Sequence, residues 1–167
     1  MRRIVADFQP KVILSTLKDH DIEFVVIGGL AGIAQGSAYP SYDVDIAYGR
    51  VYENLERLAA ALRELGATLR GAPAGLPFLL DAETLAKGAH FTFETAFGSL
   101  DLLSDPDGAP RYDALRSGAV SAEIDGVAVR VASLDHLIAM KEASGRTKDK
   151  LMATEYRVLA DEIRRPR

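Results

Sequence analysis

Carboxylates separated by a single residue are the first candidates for chemistry in this chain of 167 residues, because carboxylate oxygens are preferred ligands of hard divalent cations. Among fourteen Asp, chance produces about one such pair and three occur, so the spacing alone is weak evidence. Helix capping or turn formation explains the acids in two of the pairs. The pairs are Asp19/Asp21 at a predicted helix end, Asp43/Asp45, and Asp105/Asp107 in a predicted turn.

Asp43 and Asp45 differ because residues 42–47 alternate polar and apolar side chains, as a half-buried strand does. Positions i and i+2 of a strand face the same way, so the two carboxylates share a surface and Tyr42, Val44 and Ile46 are expected to face the core. Two such charges repel by roughly 1 kcal/mol in water, a cost that a bound divalent cation reverses. Taken without their neighbours, they are equally well explained as solvent-facing acids.

A Gly28-Gly29 pair follows the segment Glu23–Ile27, which is rich in β-branched residues and is predicted to be a buried strand. Backbone N–H groups at a glycine turn leading into a helix form a phosphate site, although a simple tight turn also explains the glycines. Combined with the Asp43/Asp45 strand that follows, the pair favours a triphosphate site beside a metal site.

The remaining patterns predict a mixed α/β (α+β) fold, with a mixed sheet covered by helices. We expect one compact domain over residues 1–167, with a core at about 22–132 and C-terminal helices at about 133–165. Residues 70–77 are predicted to form a loop. Helices are predicted near residues 12–19, 30–35, 55–65 and 134–143 and around Leu151 to Leu159, and further strands at 91–95 and 99–103 and in a hairpin over 122–131.

Composition narrows the class of protein. With no Cys, the chain has neither disulfides nor thiolate metal sites, and its three His lack metal-ligand spacing. The longest apolar run, residues 24–34, is shorter than the roughly 20 residues of a membrane span, so we predict a cytoplasmic protein without membrane contact. The net charge is −4, but residues 141–167 carry eight Lys/Arg against five Asp/Glu. Such a segment suits phosphate or RNA, and also an ordinary helix surface.

Three blocks of sequence resemble the DNA polymerase β superfamily of nucleotidyltransferases, especially the small bacterial proteins grouped with AbiEii-type toxins. The first block runs from Phe24 through Gly28-Gly29 to Ile46, and the second is Gly98-Ser-Leu-Asp-Leu-Leu103. The third runs from Ala132 to Lys141 and continues with Gly145-Arg146 and Lys148-Asp149. The blocks cover most of residues 24–150 in the family's order, so the resemblance implies the nucleotidyltransferase fold.

The resemblance implies that the protein moves a nucleoside monophosphate from an NTP to a hydroxyl acceptor and releases pyrophosphate. Two Mg²⁺ ions, or Mn²⁺, would clamp the attacking and leaving oxygens. The acceptor would be an RNA 3′ end such as that of tRNA, a protein or a small molecule. A toxin role would add an antitoxin partner. The implied metal ligands are Asp43, Asp45 and Asp101, and the implied nucleotide-binding residues are Gly28, Gly29, Ser41, Lys141 and Arg146.

The sequence departs from the family pattern at positions near the predicted site. Gln35 and Tyr39 stand where relatives carry His and Arg, and Leu30 stands where many carry Ser. Ser41 keeps the hydroxyl of the usual Thr. These departures motivate an alternative, a catalytically degenerate domain of the same fold that binds nucleotide or protein.

Overall fold

The fold is a seven-stranded mixed sheet with seven helices in the part of the chain that the computed structural model describes, residues 7–73, 75 and 78–166. The strands are β1 (Phe24–Ile27), β2 (Asp43–Tyr48), β3 (Thr68–Leu69), β4 (His90–Thr95), β5 (Gly98–Leu103), β6 (Val120–Ile124) and β7 (Val127–Val131). The helices are α1 (Pro10–Asp19), α2 (Gly28–Ile33), α3 (Tyr52–Glu64), α4 (Ala82–Lys87), α5 (Tyr112–Ser117), α6 (Leu134–Ala143) and α7 (Thr147–Arg164).

The strand order is β3-β4-β5-β2-β1-β7-β6, so the strands that carry the predicted site lie together at the centre. β2 pairs in parallel with β5 and antiparallel with β1, and β1 pairs in parallel with β7. Two antiparallel hairpins, β4–β5 and β6–β7, complete the sheet with β3. The predicted fold class, a mixed sheet covered by helices, is confirmed.

The long predicted elements are present with small shifts in their bounds. α2 begins at Gly28 itself rather than at Leu30, so the glycine pair is the first turn of the helix and not a separate turn. In the predicted hairpin, Asp125 and Gly126 both have positive φ (50° and 80°), as the two central residues of a type I′ turn require. Ser133 caps α6 by accepting from the His136 N–H at 3.2 Å.

Three short elements, β3, α4 and α5, have no counterpart in the prediction, because a two-residue strand and six-residue helices with only one or two buried side chains show no clear period. Within the predicted loop at residues 70–77, the described residues contain no helix or strand. Residues 74, 76 and 77 of that loop lie outside the described part of the chain.

The core fills the space between the sheet and its helices. Val44 and Ile46 are fully buried, as predicted, and Phe93 lies in an aromatic cluster with Phe78 and Phe91. The prediction that Tyr42 faces the core is wrong, since its exposed fraction is 74%. β2 begins only at Asp43, so the alternation of the strand does not extend to Tyr42.

In the described residues, no helix is both long enough and apolar enough to span a membrane.

Candidate active site

The structure brings the carboxylates of Asp43, Asp45 and Asp101 together. The parallel pairing of β2 with β5 places Asp45 directly opposite Asp101, and the alternation of β2 turns Asp43 to the same face. One oxygen from each of the three side chains lies within 4.8 Å of the others. Residues 56 positions apart in the sequence thus form one acidic cluster, which we call the carboxylate triad.

The triad is electrostatically costly without a cation. Burial, followed by the negative charges of Asp43 and Asp101, raises the pKa of Asp45 to about 8. Burial also raises the pKa of Asp101, although Arg70 acts in the opposite direction. The side-chain contact with Asp101 adds to the rise in the pKa of Asp45, and the same contact lowers the pKa of Asp101.

The donor set of the triad fits a hard divalent cation. It consists only of carboxylate oxygens, the ligands that Mg²⁺ and Mn²⁺ prefer, and it lacks the nitrogen and sulfur ligands typical of zinc sites. A bound cation would offset the burial and the neighbouring negative charges that raise the pKa of Asp45. The residues present therefore fit the metal that the sequence implies.

Gly28 and Gly29 pack directly against this cluster, and the packing explains why both are glycine. Gly28 has a φ of 70°, and a Cβ there would lie 2.2 Å from Asp45 Oδ2. A Cβ on Gly29 would lie 2.7 Å from Ser41 Oγ, while that hydroxyl lies 3.5 Å from Asp43 Oδ1. The start of α2 and the end of β1 can therefore approach the acids only with two glycines in sequence.

Lys141 and Arg146 lie at the junction of α6 and α7 and line the same cleft as the triad. Both contact Asp149: Lys141 Nζ lies 3.3 Å from Oδ1, and Arg146 Nε lies 2.8 Å from Oδ2. Lys141 is largely enclosed, with 21% of its side chain exposed, whereas Arg146 is 79% exposed. The positive charge of Lys141 opposes the rise in the pKa of Asp45.

Asp149 is a site residue to which the sequence assigned no role. It is 5% exposed, and Ser144 Oγ lies 2.6 Å from its Oδ2. Burial alone would raise the pKa of Asp149, but the hydrogen bond from Ser144 and the charge of Lys141 hold it below its ordinary value. The spacing of Arg146 and Asp149, i to i+3 at the start of a helix, was the available signal for this pair.

Arg70 is a second residue that the sequence did not reveal. It follows β3 at the edge of the sheet and donates from Nη2 to Asp101 Oδ1 at 2.6 Å. Its Nε donates to Glu94 Oε1 at 2.9 Å, and Glu94 also accepts from Ser99 Oγ at 2.8 Å. Because β3 has only two residues within a Gly/Pro-rich stretch, no local pattern indicated that Arg70 reaches the site.

The triad, the two glycines, Lys141, Arg146 and Asp149 line an open cleft of about 860 Å³, large enough for a nucleotide. The triad and the glycines form one wall of it, and the α6–α7 junction forms another. Tyr39 and the exposed Tyr42 also line it. Leu30 does not, since its side chain is buried in the core.

Comparisons with known proteins agree with this geometry. No protein-family model matches the sequence, and no curated protein is significantly similar to it. Among solved structures, the antibiotic-resistance factor ANT(2'')-Ia in solution aligns with a TM-score of 0.60 at 18% identity, over 92% of this chain and 82% of its own. The crystal structure of ANT(2'')-Ia with adenylyl-2''-tobramycin aligns with a TM-score of 0.58 at 18% identity, over 93% and 90% of the two chains.

A third solved structure, that of a proposed nucleotidyltransferase from Thermotoga maritima, aligns with a TM-score of 0.52 at 17% identity, over 96% of this chain and 99% of its own. Identities this low establish a shared fold and not a shared substrate. The AbiEii-type subgroup stays a prediction. The protein has the fold of the nucleotidyltransferases.

Proposed function

We propose that the protein is a metal-dependent nucleotidyltransferase that moves a nucleoside monophosphate from an NTP to an acceptor hydroxyl. The observation that carries the proposal is the carboxylate triad, in which Asp43 and Asp45 of β2 meet Asp101 of β5 in an open cleft. The fold shared with nucleotidyltransferases supports this chemistry over other uses of three acids.

In the proposed reaction, two Mg²⁺ ions, or Mn²⁺, held by the triad would stabilise the charge on the attacking and leaving oxygens at the α-phosphorus. Asp101 accepts the proton of the acceptor hydroxyl as the hydroxyl oxygen bonds to that phosphorus. The bond from the α-phosphorus to the oxygen bridging to the β-phosphate breaks, and pyrophosphate leaves. Asp101 suits the role because it lies at the side of the triad away from the glycines.

The triphosphate is proposed to lie between the start of α2 and the α6–α7 junction. The backbone N–H groups of Gly28 and Gly29, with the hydroxyl of Ser41, supply uncharged donors on one side. Lys141 supplies a cation on the other, fixed by its contact with Asp149. Arg146, anchored on the same carboxylate but mostly exposed, is proposed to contact the outermost phosphate.

The acceptor is proposed to be an RNA 3′ end such as that of tRNA, a protein side chain or a small molecule. The neighbour solved with adenylyl-2''-tobramycin supports a small hydroxyl compound. The resemblance to AbiEii-type proteins supports RNA, and with it a toxin role and an antitoxin partner. These finer assignments are hypotheses that the acceptor assay below separates.

The test incubates the protein with Mg²⁺, each labelled NTP and a panel of total tRNA, aminoglycosides and cell protein, and measures label transfer and pyrophosphate release. We expect Asp43→Asn and Asp45→Asn to lower transfer at least a hundredfold, because each removes one ligand charge. Asp107→Asn is the matched control, since Asp107 is an exposed acid lining the same cleft outside the triad. Equal labelling by the wild type and the Asp45 variant would refute the proposal.

A second candidate is a domain that binds nucleotide or protein without chemistry, and the observation that favours it is Tyr39. This residue lines the cleft at the position where relatives carry a cation. The non-catalytic candidate predicts thermal stabilisation by NTP and Mg²⁺ without pyrophosphate release for any acceptor. Tyr39→Arg would then restore no activity, whereas in an active enzyme it changes the acceptor or nucleotide preference.

A further inference from the structure

The sheet face that carries Asp101 continues onto β4 and β3, where it is open to solvent. Cross-strand pairing places Thr92 beside Asp101 and Glu94 beside Ser99 on this face. All of its members on β3 and β4 except Glu94 are exposed. We call this surface the β3–β4 shelf and define it by Thr68, Arg70, His90, Thr92 and Glu94.

Arg70 is the fixed cation of the shelf. Its Nε donates to Glu94 at 2.9 Å, and its Nη2 donates to Asp101 at 2.6 Å and to the Phe93 carbonyl at 3.3 Å. The guanidinium plane is therefore held from two sides. Its Nη1 has no hydrogen-bond partner among the described residues, and 35% of the side chain is exposed. The free edge of Arg70 is thus available to an anion.

The shelf lies on the opposite side of the triad from the proposed triphosphate site. The strand order β3-β4-β5-β2-β1 places Arg70 beyond Asp101 and places Gly28, at the end of β1, beyond Asp45. An in-line displacement requires the attacking and leaving oxygens on opposite sides of the phosphorus. With pyrophosphate leaving toward Gly28 and Lys141, the acceptor hydroxyl arrives from the shelf.

Arg70 supplies the charge on the shelf that can interact with the acceptor. In the proposed reaction, Asp101 accepts the proton of the attacking hydroxyl and would also bind a cation, so it is not available as a counterion for the acceptor. Glu94 is the only other acid in the defined shelf, and it already accepts from Arg70 and Ser99. A polyamine on this surface would meet the guanidinium and no free carboxylate, whereas a phosphate would meet two free N–H donors of Nη1.

We propose that the β3–β4 shelf binds the acceptor and that Arg70 selects a hydroxyl compound that carries a phosphate close to the reactive hydroxyl. The inference rests on the proposed nucleotidyl transfer and names its acceptor class. Two sources offer this chemistry, a phosphorylated sugar and the 3′ end of an RNA, in which a phosphodiester lies one ribose from the terminal hydroxyl.

The test compares acceptors that differ in the phosphate. Transfer to ribose 5-phosphate is measured against ribose, with a short RNA bearing a free 3′-hydroxyl and tobramycin as further arms. The variants are Arg70→Gln and Arg70→Lys, with Arg57→Gln as the control because Arg57 is an exposed cation on α3 away from the cleft. Binding of the RNA without NTP, followed by fluorescence anisotropy, gives a readout independent of turnover.

We expect the wild type to prefer ribose 5-phosphate over ribose by at least about tenfold in kcat/KM, the effect of one charge-assisted hydrogen bond pair. At saturating Mg²⁺, Arg70→Gln should remove most of this preference and weaken RNA binding with the KM for NTP unchanged. Arg70→Lys should restore part of both. The arm that is labelled more efficiently, the sugar phosphate or the RNA, identifies the source.

A merely structural role for Arg70 would lower transfer to ribose and to ribose 5-phosphate alike, and that equal loss would overturn the inference. Labelling of tobramycin or ribose as efficient as that of the phosphorylated acceptors would also overturn it, while leaving nucleotidyl transfer intact. Absence of pyrophosphate release with every acceptor would instead refute the proposed function, and the inference with it.

Discussion

Asp45 should make the metal-free protein less stable as the pH rises. Its pKa in the folded protein is about 8, against an ordinary value of 3.8. Between these two values the folded protein holds a proton that the unfolded chain has released, so the free energy of unfolding falls with increasing pH across this window. Below pH 3.8 both states are protonated and the penalty disappears.

The size of the effect follows from 1.36 kcal/mol per pKa unit, which gives at most about 6 kcal/mol above pH 8 and about 4 kcal/mol at pH 7. Relaxation of the three side chains reduces these bounds, and we expect about 2–4 kcal/mol at pH 8. Asp45→Asn keeps a neutral donor toward Asp101 and does not titrate. The variant should therefore be more stable than the wild type at pH 8 by that amount, equivalent to roughly 5–15 °C in Tm.

Urea denaturation with EDTA at pH 5, 6, 7 and 8 measures the effect, and the difference between variant and wild type should grow with pH. Asp107→Asn, an exposed acid of the same cleft, should follow the wild type throughout. Added Mg²⁺ should stabilise the wild type and leave Asp45→Asn nearly unchanged, because the cation replaces the proton. If the two proteins have parallel pH profiles from 5 to 8, the electrostatic account of the triad is incorrect.

Lys141→Gln should weaken NTP binding about tenfold, whereas Arg146→Gln should weaken it less than about threefold. The difference is expected because the Lys141 side chain is 21% exposed and that of Arg146 is 79% exposed. Calorimetry with a non-hydrolysable NTP analogue measures both affinities. Gly28→Ala should lower the free energy of unfolding by about 2–4 kcal/mol, since the new Cβ would overlap Asp45. Gly66 has a similar φ of 68° with open space around it, so Gly66→Ala should lower it by only about 1 kcal/mol. Chemical denaturation measures both. Glu94→Gln should lower the affinity for Mg²⁺ roughly threefold to tenfold, because Arg70 would then pair with Asp101 alone. A thermal-shift titration measures this affinity, and an unchanged value would contradict the role of Glu94.

The sequence predicted those elements whose pattern is local and long enough to show a period. β2 was predicted because its apolar positions alternate, and α3 because its apolar residues repeat at helical spacing. α4 and α5, with six residues each, pack through one or two buried side chains and have no comparable pattern. The prediction that Tyr42 faces the core was wrong because a strand pattern does not mark the residue at which the strand begins.

The site was predictable to the extent that its residues lie on regular elements of a known fold. Asp43 and Asp45 follow from alternation along β2, but Asp101 reaches them through the parallel pairing of β2 with β5, which the sequence did not predict. The family resemblance implied only that Asp101 is a third metal ligand. Arg70 and Asp149 act through contacts with residues from other elements or across a helix junction. Such contacts leave little trace in a single sequence, because any exposed Arg or Asp would look the same.

Arg70 and Lys141 show how the fold keeps an acidic site open while cations flank it on both sides. Each cation is bonded to a carboxylate outside the triad, Arg70 to Glu94 and Lys141 to Asp149, and Arg70 is also bonded to Asp101 of the triad. Without Glu94, Arg70 would pair with Asp101 alone and would compete with a divalent ion for its oxygens, while Asp149 holds the Lys141 ammonium outside the triad. With them, the flanking charges partly offset the repulsion among the three acids, and Asp45 still holds a proton near neutral pH. Glu94 and Asp149 thus preserve the unbalanced negative charge by which the triad would attract the proposed divalent metal.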